Sequence, residues 1–366
     1  MTIATAPSRG PARRVAVALA CVLALLAAAA ARPDEPRAWA DAGDQAGLLA
    51  ALDHQIAYLK HARGTPFPLG GRTVSTADLL RAATAFRDLV RERYGAPAFA
   101  DELRRRFDVV AVTPPERPGL VTGYFVPELR ASAAPSLAFR EPIHGLPPEL
   151  RARGVVGPTR EQIDRGALAG RGLEIAWTDD ALALYWLHVQ GSGVLVFPDG
   201  ARRAAHYAGD NGRPYVSIGA TLVADGRLTV EEATLPGIEA WLRAHPGEMD
   251  EALRRNPRYI FFALDRGPVR GAGNIPLTPM RSVAADPAAL PLGCVGWLDY
   301  ATPAWNGNGE RLPDAATGRF VLVQDAGAAI KGPGRIDLFT GFGNEARRLA
   351  GYLRHAGTVY LLLAKP

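Results

Sequence analysis

Gln324-Asp325-Ala326-Gly327-Ala328-Ala329-Ile330-Lys331-Gly332, then Pro333-Gly334, then Arg335-Ile336-Asp337-Leu338-Phe339: this stretch says most about how the chain folds. Phe320 to Val323 before it are strand formers, and Asp325 ends that run. Gly327 and Gly332 permit tight backbone turns. Asp337 stands between Ile336 and Leu338, so strand alternation places it on the face opposite them. A carboxylate is thus set at the end of one strand and another in the middle of the next.

Outward from this stretch the reading is mixed. Tyr259–Leu264, Val295–Tyr300 and Thr358–Leu363 read as further strands, and Asn344–His355 as an amphipathic helix. Upstream, Leu48, Leu52, Ile56 and Leu59 recur at helical spacing. Ser75 and Asp78 start a second helix with a capping box, and Leu79, Ala83, Phe86 and Val90 continue its apolar face to Gly95. A short third helix is expected over 99–107. Gly119–Phe125 is strand-like. Residues 130–175 are broken by Pro and Gly. Pro198-Asp199-Gly200 forms a hairpin-type turn after Val194–Phe197, and 230–254 is helical up to the Asn256-Pro257 break. The expected fold class is mainly β with N-terminal helices, in barrels or sandwiches.

The chain has 366 residues, 48% hydrophobic and 22% charged, which is room for two or three domains and excludes wholesale disorder. Arg13 and Arg14, then the apolar run Val15–Ala31 with its Ala-rich end, read as an export signal cut near Ala29–Ala31, and an uncleaved anchor is the other reading. Cys21 is poorly placed for lipid attachment, so a soluble periplasmic chain is expected, with membrane association only through an uncleaved or lipidated N-terminus. Of the two cysteines, Cys294 is then alone, and no internal disulfide forms. The net charge of +5 falls by three when Arg9, Arg13 and Arg14 leave. Arg104-Arg105-Arg106 lies on a helix face, and nucleic acid is not an expected partner.

The histidines show no metal-ligand spacing, and there is no C-x-x-C, so no metal or other cofactor is expected. Gly-x-Ser-x-Gly is absent. Gly267–Gly273 is glycine-rich without a following P-loop Lys-Ser/Thr. That leaves Asp325 and Asp337. Two carboxylates near each other suit glycosidic chemistry, where a proton must reach the leaving oxygen. Two loop aspartates that merely cap turns is the plainer reading, and spacing alone does not decide between them.

Four motifs in order decide further: Thr122-Gly123-Tyr124-Phe125-x-Pro127; Val189-Gln190-Gly191-Ser192-Gly193; Pro276-Leu277-Thr278-Pro279-x-Arg281-Ser282 with Leu290-Pro291-Leu292-Gly293; and Asp325-x-Gly327-x-Ala329-Ile330-Lys331-Gly332 with Asp337. With these the chain resembles the membrane-bound lytic murein transglycosylase A family, whose last motif is a "three-aspartate" signature. The resemblance implies a double-psi β-barrel with a second, smaller β-barrel inserted, and a groove between them. It divides the chain into a signal (1–31), a linker (32–46), helices and the first part of the main barrel (47–127), the insert (128–256) and the rest of the main barrel (257–366). It implies cleavage of the β-1,4 bond between N-acetylmuramic acid and N-acetylglucosamine in peptidoglycan glycan strands, leaving 1,6-anhydro ends. A monomer is the expected state. Asp337 aligns with the family's acid and base, and Asp325 with its supporting carboxylate. Thr122, Gly123, Tyr124, Gln190, Gly191, Ser192, Arg281 and Lys331 are the implied substrate contacts. Val126 departs from the Glu of many members, and Pro333-Gly334 lengthens the loop between the aspartates. The rival expectations are an inverting glycoside hydrolase on the same barrel and a non-catalytic peptidoglycan-binding protein.

Overall fold

A computed structural model describes residue 36 and residues 39–114, 116–152 and 154–366. The expected signal and Cys21 lie outside the described residues. In chain order the elements are α1 (Gln45–Leu59), β1 (Phe67–Leu69), β2 (Arg72–Val74), α2 (Thr76–Arg93), α3 (Phe99–Arg106), β3 (Phe107–Ala111), β4 (Gly119–Val126), β5 (Glu128–Ser132), β6 (Glu141–His144), α4 (Arg160–Asp164), β7 (Glu174–Thr178), α5 (Ala181–Gln190), β8 (Gly193–Val196) and β9 (Arg202–Asp210). There follow α6 (Ile218–Ala224), α7 (Leu235–Ala244), α8 (Pro246–Arg254), β10 (Ile260–Asp265), β11 (Ser282–Ala285), β12 (Val295–Trp305), β13 (Arg311–Asp325), β14 (Arg335–Phe342), α9 (Gly343–Tyr352) and β15 (Arg354–Ala364).

The main sheet runs β12-β13-β11-β14-β4-β15, and β15 pairs again with β12, so six strands close into a barrel while β3 extends β15 on its outer side. Closure removes the open edges that a flat sheet would expose. Two pairings, β11–β13 and β4–β14, are parallel. The second of these joins a strand from before the insert to one from after it. Its core is shared with α1 and α2, whose Leu48, Leu52, Phe86 and Leu89 are fully buried against Phe320, Leu322 and Leu361. The Ser75–Asp78 capping box is formed and starts α2 as its sequence requires. On α3, Arg105 and Arg106 pair with Glu102, which neutralises much of the basic run.

The second sheet runs β10-β9-β8-β5-β7-β6. Leu129, Ile143, Ala176, Leu195, Ala205 and Phe262 send one inward side chain from each of its six strands into a single core, with Leu184 and Leu187 of α5. The sheet is therefore rolled into a smaller barrel. Only Pro127 separates β4 of the first barrel from β5 of the second. The barrels meet where Val194, Val196 and Ala204 pack against Tyr124, Val126, Val269, Leu277, Ala284, Ile330 and Phe339. Val126 is thus core packing between the barrels.

The stretch expected as a linker, 32–46, is largely built into the fold where it is described. Trp39 is buried, stacked on Phe320 and edge-on to Trp297. Asp41 bridges to Gly318, and Asp44 caps α1 by accepting from Gly47 N at 2.6 Å. Polar residues and Pro misled the reading, because Asp41 is polar but fully paired. The helix expected over 344–355 ends at Tyr352, and Arg354 opens β15. Among the described residues no helix is long and apolar enough to cross a membrane. Cys294 is buried, and burial pushes its thiol up to about 12, so it is inert.

Candidate active site

Asp325, Ala284, Asp337 and Thr122 lie in one row across β13, β11, β14 and β4. Cross-strand partners share a face of a sheet, so the two aspartates project to the same side of it. Ile336 and Leu338 point the other way and are buried. The alternation expected from the sequence is present.

Asp337 is partly buried and touches few groups. Thr122 Oγ1 donates to its Oδ1 at 2.5 Å. Arg335 Nη1 in turn donates to Thr122 Oγ1 and to Ile336 O, both at 2.8 Å. Burial pushes the Asp337 carboxyl above the ordinary range. The Thr122 hydrogen bond and the Arg335 charge oppose that rise, and the Asp325 charge adds to it. The group is thus biased toward the acid, yet has a donor and a cation ready for its carboxylate.

Asp325 is differently placed. Its Oδ2 accepts from Tyr124 OH at 2.8 Å, and its Oδ1 from the amides of Ala272 and Ala326, both at 2.9 Å. Both oxygens are engaged by the protein. Burial raises its pKa, and the three hydrogen bonds pull back. Tyr124 is held well above its usual pKa by burial and by the two carboxylates, so it stays a donor. Its ring lies tilted on Phe339, with centroids 5.3 Å apart, and only a small part is exposed.

The other expected contacts divide. Gln190 ends α5, and its Oε1 accepts from Phe125 N at 3.3 Å, which ties the second barrel to β4. Gly191 closes that helix with φ 76°, which favours glycine there, and Ser192 follows, buried. These three lie at the joint between the barrels. Gly123 does not face the row: a Cβ there would meet Ala350 of α9 at 2.9 Å, so its role is to let that helix approach. Lys331 is exposed on the loop beside Asp286, and Arg335 is the cation that acts on Asp337. Arg281 is fully buried and held by Asp41, so it has no open donor for a substrate.

Sequence alone marks neither Arg335 nor the glycine-rich 267–273 segment, which has no P-loop pattern, as part of the site. That segment carries Ala272 N–H to Asp325. A Cβ on Gly271 would sit 2.7 Å from Gln324 O and 2.8 Å from Asp325 Cγ. Replacing Gly271 with Ala is expected to push the loop off Asp325 and cost a charge-assisted hydrogen bond of about 1.5–3 kcal/mol, a fall in turnover of roughly ten- to a hundredfold. Steady-state kinetics on one glycan substrate would measure it. Unchanged kinetics would mean the amide clamp on Asp325 does not matter.

The geometry defines a class: a closed six-stranded barrel with an inserted smaller barrel, and a partly buried carboxyl, Asp337, near their junction. The comparisons agree. The model of the MltA specific insert domain matches residues 120–263, and that of the 3D domain residues 281–363. Membrane-bound lytic murein transglycosylase A of Vibrio cholerae is 36% identical over 246 residues, 66% of this chain and 65% of that protein. Its Escherichia coli counterpart is 34% identical over 248 residues, 67% of this chain and 66% of that protein. The matched segment thus spans just under two thirds of these relatives' own lengths. The crystal structure of membrane-bound lytic murein transglycosylase from Agrobacterium tumefaciens is 31% identical with TM-score 0.72, over 88% of this chain and 93% of that one. That of Escherichia coli MltA with bound chitohexaose is 26% identical with TM-score 0.75, over 92% and 95%. The chain belongs to the membrane-bound lytic murein transglycosylase A family.

Proposed function

We propose that this protein is a peptidoglycan lytic transglycosylase, and that Asp337 is its acid and base. The observation that carries the reading is the contrast between the two aspartates. Asp325 has both oxygens engaged, whereas Asp337 is biased toward its acid form and has one oxygen without a donor among the described residues.

The chemistry balances with one such group. Asp337 gives its proton to the glycosidic oxygen as the bond from muramic C1 breaks. Thr122 and Arg335 then stabilise the carboxylate. That carboxylate takes the proton of the muramic C6 hydroxyl as its oxygen bonds to C1, closing a 1,6-anhydro ring and restoring the acid. No water enters, so no second carboxylate is needed to activate one. Tyr124 and the 271–272 amide hold Asp325, whose charge favours the protonated Asp337. We infer that residues 128–256 are the inserted unit, and that glycan strands lie between it and the main barrel near Gln190, Gly191 and Ser192. Two relatives are named membrane-bound and murein-directed, and another is titled with bound chitohexaose, which supports a cell-envelope site and a β-1,4 glycan substrate. The export signal expected at the N-terminus supports a periplasmic site, and we infer that the chain acts as a monomer.

Mass spectrometry of the soluble products from purified sacculi tests the reading. The expected products are lighter by one water than hydrolytic ones and carry no reducing end. Reducing-end products would make the protein a hydrolase, and binding without release would make it a non-catalytic module.

A further inference from the structure

β15 begins at Arg354, one strand beyond Thr122, and the two are direct partners in the antiparallel β4–β15 ladder. Partners of this kind project to the same face, so Arg354 joins the row that already holds Thr122 and Asp337. Arg335 stands two residues before Asp337 on β14 and shares that face, as its hydrogen bond to Thr122 Oγ1 requires. Arg354 is exposed, and its side chain makes no ion pair or hydrogen bond among the described residues. Arg335 bonds only neutral oxygens. The two cations are close enough for Arg354 to depress the Arg335 pKa. When Asp337 holds its proton, this face carries two guanidinium charges and no described carboxylate within ion-pair reach of either. Two like charges on one face beside the Asp337 row raise the local concentration of anions, and a guanidinium fork fits a carboxylate.

We propose that Arg354, with Arg335 behind it, binds the carboxylate of the lactyl substituent on the muramoyl residue at the cleaved bond, or of the peptide it carries. The inference rests on the transglycosylase reading above and adds a specificity to it. N-Acetylmuramic acid differs from N-acetylglucosamine by an ether-linked lactyl group, which is anionic when free and leads to further carboxylates when amide-linked to a peptide. A neutral chitin-type oligosaccharide has neither. Arg354 is then the residue that makes the enzyme prefer acidic strands, while Asp337 performs the same chemistry on whatever is bound.

The test compares wild type, Arg354→Gln, Arg354→Lys and, as a surface control, Arg151→Gln on the second barrel. Each is assayed on peptide-bearing glycan strands and on strands stripped to the free lactyl group, and each is titrated with chitohexaose. The expected result is a fall of at least tenfold in the preference of Arg354→Gln for strands over chitohexaose, expressed in KM rather than kcat. Arg354→Lys recovers part of it, added salt erodes the wild-type preference, and Arg151→Gln keeps it. Loss on the stripped strands alone assigns the free lactyl carboxylate, loss on peptide-bearing strands alone assigns the peptide, and loss on both shows that the pair takes either carboxylate. A preference within twofold of wild type, or an equal loss of chitohexaose affinity, would overturn the proposal. Anhydro products from the wild-type enzyme show that the underlying reading stands in that case. Their absence would sink both.

Discussion

Asp337→Asn is expected to turn over no measurable substrate, while remaining folded and, at neutral pH, at least as stable as the parent chain. A positioned acid or base is worth about 10²–10⁴-fold. Here one group serves as both, so the loss belongs at the upper end of that range. The pH profile follows from the same carboxyl. It must be protonated when the substrate binds, so kcat/KM is highest at low pH and falls as the pH rises through the Asp337 pKa. Burial sets that pKa above the ordinary value of about 3.9. The stability effect runs in parallel. A carboxyl whose folded pKa is raised stabilises the fold below its unfolded pKa, and that contribution is lost as the pH rises through the folded pKa. Above it, a partly buried carboxylate remains, and Asn removes that cost. Urea titrations at several pH values should therefore show the variant gaining on the parent as the pH rises. An alkaline limb no higher than that of an ordinary Asp would count against Asp337 as the acid, and so would an Asn variant that still turns over. A destabilised, inactive variant would leave misfolding as the cause of inactivity, and Asp337→Glu with its carboxyl restored would then decide.

Much of this site was legible along the chain because it depends on local order. Alternation around Ile336-Asp337-Leu338 placed the carboxyl on the polar face, and β14 keeps it there. The capping box at Ser75 needs only residues three apart, and it formed. What was not legible depends on pairing across long separations. Arg335 looked like any loop cation until β14 paired with β4, which brings it to Thr122. Gly271 gave no sign of its purpose, since a close approach to Asp325 exists only once β13 ends beside that loop. Gly123 belongs to the same motif as Thr122 and Tyr124, yet strand alternation turns it toward α9. A motif shared with a family mixes residues that meet substrate with residues that let backbones approach.

Arg281 shows the same limit, and it carries the largest expected effect on stability. Its guanidinium and Asp41 form a two-pronged pair, Nη1 to Oδ1 and Nη2 to Oδ2 at 2.8 Å each, and both side chains are almost wholly buried. Arg281 also donates to Phe320 O at 3.0 Å and Asp44 O at 2.7 Å. Asp41 accepts from Tyr94 OH at 2.8 Å, and burial, helped by this hydrogen bond, pushes that phenol up to about 12. The pair fastens the 39–44 segment to β13 and to the end of α2, and a Cβ on Gly43 would collide with the guanidinium. Removing either partner leaves the other buried without a counter-charge, so Asp41→Ala or Arg281→Ala should each cost about 3–5 kcal/mol. That is a large part of the roughly 5–15 kcal/mol by which domains are stable. The double change Asp41→Leu with Arg281→Met should recover most of the loss, because the desolvation penalty disappears together with the attraction. Urea denaturation of wild type, the two single variants and the double variant measures both effects. The kinetic readout separates this from a substrate contact. If Arg281 held a substrate carboxylate, Arg281→Met in the double variant would raise KM in the folded protein. If it acts only through Asp41, kcat and KM per folded molecule stay with wild type while the single variants unfold early.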